Sequence, residues 1–314
     1  MTADTAAPKA LPTDPASPKA LADSRVGLLL LSGLTFFWGV NWPAMKTVVG
    51  EMPVFTFRAI TVIVGAAGLM LIARLAGQRL WLKRSEIRPL LVVSVINVTA
   101  WQLLSAFALV NLPAGRAAIV AYTMPVWTAI LAVLVLHEKL TRRIVFALIF
   151  GMAGIACLLI PARHQFASAG LGILLMATGG FTWASGTIAL KRVRWDLTIT
   201  ALAGWQMLIG GVPIVIAALV VDRNFEPSSV STTAWLACAY AVVIPTIFCH
   251  WAWYRVVSIY PASISALGTL LIPVVGVLSS TLALGEPIGW DVISALVLVG
   301  SAIVLIALPT MRTR

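Results

Sequence analysis

Apolar positions occur along the chain in ten stretches, separated by short segments that carry most of the charged residues, Pro and Gly. A helix needs roughly 20 predominantly apolar residues to cross the hydrocarbon core of a bilayer. The pattern therefore predicts an all-α integral membrane protein with ten transmembrane helices and no soluble domain between them. The predicted spans are 26–49, 53–76, 89–110, 114–136, 144–161, 169–190, 197–221, 233–257, 262–284 and 288–308.

The first 25 residues differ from the rest, because they are rich in Ala, Pro, Lys and Asp. Such a segment buries too little apolar surface to fold, so residues 1–25 are predicted to be a disordered cytoplasmic tail. The apolar stretch that follows is too long for a cleavable signal peptide and lacks a small-residue cleavage pattern. Residues 26–49 are therefore predicted to stay as the first span.

Composition and charge support a membrane protein and orient it. Apolar residues make up 60% of the chain, charged residues 11%, and the mean hydropathy is +0.99, whereas soluble domains carry about 25% charged residues. If the N-terminus is cytoplasmic, 17 of the 22 Lys and Arg residues lie on the cytoplasmic side. This bias places both termini in the cytoplasm. The net charge of +11 thus reflects topology in a plasma membrane, the bacterial inner membrane, and not a nucleic-acid partner.

The two halves of the chain resemble each other. At a spacing of 145 residues, FFWGVNWPAMK (36–46) matches FTWASGTIALK (181–191) at a Phe, a Trp, an Ala and a Lys. At a spacing of 148 residues, 113–140 matches 261–288 at seven positions, which include a Pro and a Glu. We therefore predict two repeats.

The repeats are predicted over residues 26–161 and 169–308, and each holds five spans. Because five is odd, the second repeat enters the membrane from the opposite side, which makes the topology inverted. Inverted pairs typically build a central site near the bilayer midplane and alternate its access between the two sides.

Several short motifs give this arrangement a family resemblance. They are W-G-x-N…K in the first span, Phe57-Arg58 at the start of the second, Pro125 with Glu138, Trp183 with Lys191, and Pro273 with Glu286. With them the chain resembles the drug/metabolite transporter superfamily, in particular its EamA family and the YddG-type amino-acid exporters. The resemblance implies a cavity lined mainly by spans 1, 3, 4, 6, 8 and 9, with spans 5 and 10 at the periphery.

Polar and aromatic side chains inside the spans are the candidates for the substrate site. An unpaired amide is costly in lipid, so each of them should face another helix or a water-filled cavity. For the amides and the histidine, an interhelical hydrogen bond is the alternative to a substrate contact. Aromatic walls suit an apolar or aromatic solute. The candidates are Trp38, Asn41, Trp42, Asn97, Trp101, Gln102, Tyr122, Trp183, His250, Trp251, Trp253 and Tyr254.

Four charged residues at span ends are candidates for gates. We hypothesise two symmetry-related ion pairs, Lys46 with Glu286 at the outer mouth and Lys191 with Glu138 at the inner mouth, each formed when its mouth is closed. The alternative is that the lysines extend to water from helix ends.

Arginine and proline residues within the spans raise further possibilities. Arg58 lies five residues past Pro53, and it either reaches outward to water or helps to orient an anionic group. Prolines interrupt the hydrogen bonding of helices, so kinks or hinges are predicted at four of them. These prolines are Pro43, Pro125, Pro245 and Pro273.

The absence of other motifs narrows the function. No Asp or Glu lies in the middle of a span, and His250 is the only histidine within one, so a facilitator is favoured over a proton-driven pump. No catalytic motif, cofactor motif or metal-binding spacing is present. Cys157, Cys238 and Cys249 are interpreted as buried apolar residues.

The predicted protein is a transporter, not an enzyme, and it works with no cofactor or metal. Its partners are a small-molecule substrate and lipid, and it is a monomer or a weak homo-oligomer. We expect it to move an amino acid, with an apolar or aromatic side chain, outward by alternating access.

Four other functions compete with this prediction. The same fold could carry an anionic solute such as a phosphorylated sugar, or export drugs with His250 as proton carrier. An intramembrane enzyme or a receptor-like scaffold is less well supported, because the sequence shows no catalytic constellation.

Overall fold

The computed structural model describes residues 18–137, 142–159, 166–259 and 271–307, and all regular elements among them are helical. The α-helices are α1 (Pro18–Glu51), α2 (Val54–Leu75), α3 (Arg84–Ser94), α4 (Trp101–Asn111), α5 (Ala114–Ala121), α6 (Met124–Leu136), α7 (Arg142–Leu159), α8 (Phe166–Arg192), α9 (Ile199–Val221), α10 (Thr232–Ala241), α11 (Cys249–Ile259), α12 (Ile272–Leu284) and α13 (Trp290–Ala307). Two π-helices, Val95–Ala100 and Val242–Phe248, join α3 to α4 and α10 to α11, and a short 3-10 helix spans Pro227–Ser229.

The helices coincide with the predicted spans. Seven helical stretches among the described residues are long and apolar enough to cross a membrane. Three shorter apolar helices, Ile144–Leu158, Ile272–Leu284 and Trp290–Leu305, fall at the fifth, ninth and tenth predicted spans. Boundaries differ by a few residues, and the largest difference among the described boundaries is at α1, which begins at Pro18. Residues 18–25, predicted as part of a disordered tail, are therefore helical, while residues 1–17 lie outside the described part.

The surface of the bundle is apolar. Leu29, Leu75, Leu219 and Leu282 are 72–87% exposed, and many other large apolar side chains are exposed beside them. Water would make so much exposed apolar surface costly, whereas lipid tails solvate it. The chain is an all-helical, multi-pass membrane protein.

The repeat is visible in the bounds of the helices. Helices α4, α6 and α7 begin and end 148 residues before α11, α12 and α13 respectively. A π-helix lies in the third predicted span and another at the equivalent place in the eighth. Helices α6 and α12 both end at a left-handed residue, His137 with φ 55° and Gly285 with φ 67°. The same run of helices thus occurs twice.

Equivalent contacts hold the opposite ends of the bundle. At the end that contains Glu286, the carboxylate of Glu51 accepts hydrogen bonds from the amide and hydroxyl of Ser231, at 2.7 and 2.8 Å. At the other end, Lys83 forms an ion pair with Asp196. Asp196 follows Glu51 by 145 residues, and Ser231 follows Lys83 by 148. This is the arrangement that an inverted repeat produces. We call the two ends the Glu286 end and the Lys83 end.

Buried side chains are distributed unequally between these ends. In the half of the bundle near the Glu286 end, one large core joins residues of α1, α2, α4, α5, α7, α8, α10, α12 and α13. A smaller, separate cluster in this half joins α2 to α9. Toward the Lys83 end, the described residues form separate clusters. One joins α1 to α11, a second joins α2 and α3 to the start of α9, and a third joins α6, α7 and α13.

Helices α7 and α13 form a peripheral pair. They pack closely, since a Cβ on Gly154 would lie 2.8 Å from Cγ2 of Val299. Their other main contacts are with α5, α6 and α8. The two helices correspond to spans 5 and 10, which the family resemblance placed at the periphery. The centre of the bundle is therefore surrounded by α1, α4, α5, α8, α11 and α12.

Candidate functional site

Three of the predicted site residues meet between α1 and α11. The ring of Trp38 makes an edge contact with His250 at a centroid distance of 5.8 Å and lies 6.1 Å from the ring of Trp253. We call Trp38, His250 and Trp253 the α1–α11 aromatic cluster. Trp251 lies next to them and stacks at 5.9 Å on Phe248.

Pro245 anchors this cluster through its carbonyl oxygen. Nε1 of Trp38 donates to that oxygen at 3.1 Å, and Nδ1 of His250 lies 3.1 Å from it. Proline has no backbone N–H with which to donate a hydrogen bond to the preceding turn. In that turn, the carbonyl of Ala241 accepts from the hydroxyl of Thr246 at 2.9 Å instead. The π-helix around Pro245 thus presents a carbonyl to the opposite repeat.

A second aromatic contact lies between α4 and α8. The rings of Trp101 and Trp183 meet edge to face at 5.5 Å, and we call them the α4–α8 aromatic cluster. Gly179 lets α8 approach the Trp101 ring, because a Cβ there would lie 3.4 Å from Cε3. Two predicted residues of the third and sixth spans are thereby brought together.

Asn97 has a structural partner. Its side-chain amide donates to Oε1 of Gln206 at 3.2 Å. Asn97 also packs against Gly186, since a Cβ added at Gly186 would lie 2.7 Å from the Cβ of Asn97. This is the interhelical hydrogen bond that the sequence offered as the alternative to a substrate contact. Oδ1 of Asn97 is buried without a partner among the described residues.

The other predicted site residues are dispersed. Trp42 is buried in the core near the Glu286 end, with its Cδ1 3.1 Å from where a Cβ on Gly276 would lie. Gln102 is buried on α4, and Tyr122 lies at the end of α5 beside the same core. Oδ1 of Asn41 is buried without a partner among the described residues. The side chain of Tyr254 lies outside the described part.

Lys46 and Glu286 bind the two helix ends on either side of Leu112 and Pro113. Nζ of Lys46 donates to the carbonyl oxygens of Leu109 at 2.5 Å and Val110 at 3.4 Å, in the last turn of α4. The carboxylate of Glu286 accepts from the amides of Ala114 at 2.6 Å and Gly115 at 2.9 Å, in the first turn of α5. A cation thus lies at a helix C-terminus and an anion at an N-terminus, as the helix dipoles favour.

The hypothesised pairing of Lys46 with Glu286 is therefore not present in this structure. The peptide groups at the ends of α4 and α5 lack intrahelical partners, and they take up the two charges instead. The equivalent inner pair falls outside the described residues, since Glu138 and the side chain of Lys191 are not among them.

Arg58 points into the bundle and does not reach water. It is 4% exposed, and its Nη2 donates to the hydroxyl of Ser105 at 2.9 Å. Outward extension, one of the two interpretations open at the sequence level, is therefore wrong for Arg58.

The predicted hinge prolines occupy three settings. Pro43 lies inside the continuous helix α1, and Pro245 lies inside a π-helix. Pro125 and Pro273 are the second residues of α6 and α12, and Pro125 follows an interruption of the fourth span at Tyr122 and Thr123. Whether any of them acts as a hinge stays a prediction.

Three contacts at the Glu286 end were not found from the sequence. Arg116 forms a 2.7 Å ion pair with Asp291, and Asp222 accepts from the amide and hydroxyl of Thr56, both at 2.8 Å. The third is the Glu51–Ser231 contact. Acidic residues at span ends are visible in the sequence, but their partners lie 166 to 180 residues away, and no local pattern identifies them. Within the described part of the chain, no group of three or more His, Cys, Asp or Glu could hold a metal ion.

A family comparison identifies the chain. The model of the EamA-like transporter family matches residues 25–160 and, a second time, residues 170–308. The chain belongs to the EamA-like transporter family. As an EamA-like protein it is a membrane transporter and not an enzyme.

Several relatives of this EamA-like protein are described as transporters or efflux pumps. The "Uncharacterized transporter YvbV" of Bacillus subtilis (strain 168) is 29% identical over 294 residues, which cover 92% of this chain and 93% of the relative. The "Probable amino-acid metabolite efflux pump" of Escherichia coli (strain K12) is 24% identical over 259 residues, which cover 79% of this chain and 84% of the relative. A similar pump of Salmonella typhimurium is 23% identical.

One solved crystal structure has the same fold. It aligns with a TM-score of 0.64 at 18% sequence identity and covers 90% of this chain and 98% of its own. At this identity the similarity concerns the fold alone.

Proposed function

We propose that this EamA-like protein moves an amino acid with an apolar or aromatic side chain outward across the bacterial inner membrane. Transport uses alternating access between two inverted repeats of five transmembrane helices each. The observation that carries the proposal is the pair of aromatic clusters, one on α1–α11 and one on α4–α8. Aromatic walls with a few polar atoms are the usual form of a small-molecule site. Two relatives described as probable amino-acid metabolite efflux pumps support the solute class.

The distribution of the core supports a direction of access. The positive-inside bias makes the Lys83 end cytoplasmic. An inward-facing state is supported by the large core near the Glu286 end and by the separate clusters of described residues toward the Lys83 end. In this state Lys46 and Glu286 close the outer mouth by joining the ends of α4 and α5 to α1 and α12. They are our proposed gate residues, and they act by binding helix ends and not by pairing with each other.

His250 carries the second candidate function, a proton-coupled drug exporter. If Nδ1 donates to the carbonyl of Pro245, Nε2 is left as an acceptor beside the Trp38 ring. Protonation at Nε2 would add a charge to an aromatic site, and this could couple protons to a cationic or apolar solute. Facilitated transport is the leading proposal, because no carboxylate lies in the middle of a span.

Solute uptake into liposomes that contain the purified protein tests both functions. We expect uptake of aromatic and aliphatic amino acids above that of charged ones, with no requirement for a pH gradient. Replacing an aromatic wall should matter, so Trp38→Ala should reduce uptake of aromatic amino acids by about tenfold.

The matched control is Trp290→Ala, because Trp290 is 82% exposed at the start of α13 and should not affect uptake. Failure to take up any amino acid would contradict the amino-acid assignment. Strict dependence on a pH gradient, lost in His250→Gln, would instead support the proton-coupled exporter.

A further inference from the structure

Arg58 is a buried cation without a counterion among the described residues. Its guanidinium donates to the neutral hydroxyl of Ser105 and contacts the sulfur of Met45 at 3.6 Å. It also lies 4.7 Å above the ring of its neighbour Phe57. Nε of Arg58 has no partner, and the ion pairs found in the described part of the chain do not involve this residue.

A buried guanidinium without an anionic partner lowers the stability of the folded protein. It presents five donors in a planar fork that matches a carboxylate. Burying a charge without an anionic partner in a membrane protein carries a large desolvation cost, and such residues usually mark a functional site. An apolar side chain of similar length would fill the same volume without this cost. Packing alone therefore does not explain an arginine here.

Neighbouring polar groups position Arg58 on one face of α4. The Ser105 hydroxyl that accepts from Arg58 in turn donates to the carbonyl of Gln102 at 3.3 Å, which fixes its direction. One turn further along α4, Lys46 binds the carbonyl of Leu109. Two cations from α1 and α2 thus converge on α4, and the nearby carboxylate of Glu286 is occupied by the amides of α5.

We propose that Arg58 binds the carboxylate of the transported solute. This rests on the proposed function and specifies how its solute is recognised. Arg58 lies in the packed half of the bundle, so a solute that has entered from the Lys83 end reaches it as α1 and α4 separate during the switch to the outward-open state. The carboxylate then takes the two donors of the guanidinium fork, while the aromatic clusters contact the apolar part of the same solute. Solutes without an anionic group should be carried without help from Arg58.

Transport of matched solutes tests the assignment. Purified wild type, Arg58→Met and Arg58→Lys are compared in liposomes with L-tryptophan and with tryptamine, which lacks the carboxylate. Arg58→Met should lower the apparent affinity for L-tryptophan by about tenfold or more, which corresponds to the loss of one charged hydrogen-bonded pair. Tryptamine uptake should change little, and Arg58→Lys should fall between wild type and Arg58→Met. Arg223→Met is the matched control, because Arg223 is exposed at the same end.

A binding measurement separates this inference from the proposed function. Thermal stability in detergent is recorded with indole-3-acetate and with the neutral indole-3-acetamide. Indole-3-acetate should stabilise wild type but not Arg58→Met, whose unliganded form should be at least as stable as wild type. If tryptophan is not transported but this pattern holds, the amino-acid function fails and the Arg58 assignment stands. The assignment would be overturned if Arg58→Met changed the stabilisation by indole-3-acetate and by indole-3-acetamide equally. It would also be overturned if indole-3-acetate did not stabilise wild type.

Discussion

The Glu286 end and the Lys83 end of the bundle are formed by equivalent parts of two similar repeats. Their packing nevertheless differs. Near the Glu286 end, one core connects both repeats, and carboxylates bind helix N-termini across them. Near the Lys83 end, the described helices form separate pairs and triplets. Two similar repeats therefore give, among the described residues, two unequally packed ends. This is the property that an alternating-access transporter needs, since each half must accept both packings.

The largest expected effect comes from crowding the packed half. A Cβ on Gly276 would lie 2.9 Å from Cβ of Ala118 and 3.1 Å from Cδ1 of Trp42. Gly276→Ala should lower the free energy of unfolding by about 1–3 kcal/mol, because α12 must move away from α1 and α5. The matched change near the Lys83 end is Gly33→Ala, where the added Cβ meets only a Phe37 atom at 3.8 Å. That variant should be neutral or stabilised by about 0.5–1 kcal/mol.

Unfolding in detergent, followed by tryptophan fluorescence, measures both variants. Similar losses in the two would show that the halves are packed alike and would remove the basis of the comparison.

A smaller effect is expected from weakening the outer gate. Glu286→Gln removes the charge that two amides of α5 share, at a cost of about 1.5 kcal/mol to the closed state. A cysteine at the buried position Ala117, in a variant without the three native cysteines, should then react about tenfold faster with a membrane-impermeant maleimide.

The control for this gate experiment is Glu226→Gln, since Glu226 is an exposed carboxylate at the same end. Its labelling rate should equal that of the parent protein. An unchanged rate in Glu286→Gln would mean that Glu286 does not hold the outer mouth closed.

The smallest effect is expected at the Lys83 end. The hydrogen bond from Lys83, and then its charge, lowers the pKa of Asp196. A lowered carboxyl pKa contributes stability above the unfolded-state value and loses it as the pH falls through the folded-state value. Both side chains are about half exposed, so the contribution is small.

Thermal unfolding as a function of pH measures this contribution. Asp196→Asn should melt slightly below wild type at neutral pH, and the two curves should converge at acidic pH, where Asp196 is protonated in wild type. A difference that grows toward acidic pH would have the wrong sign for an ion pair.

Much of the fold was predictable from the sequence, because lipid imposes a simple rule of length and polarity on each helix. The repeat followed from rare residues that recur at equal spacing, such as Pro125 and Pro273. The π-helices did not, since an extra residue within a turn leaves no trace in an apolar stretch.

The candidate site was less predictable, because its contacts join residues far apart in sequence. Trp38 and His250 were each chosen as polar or aromatic residues in a span, but their shared partner, the Pro245 carbonyl, depends on the π-helix. For Lys46 and Glu286, opposite charges suggested a pair, whereas helix ends took up both charges. Arg58 could not be assigned a direction until its burial was known.

The two π-helices also indicate how the two repeats evolved. They occupy equivalent places in the two halves, at Val95–Ala100 and Val242–Phe248, although only Val95 and Ile96 recur, as Val243 and Ile244. An irregular turn shared by two diverged copies is most simply inherited from their common ancestor. The extra residue was then already present in the single unit from which the two EamA-like repeats derive.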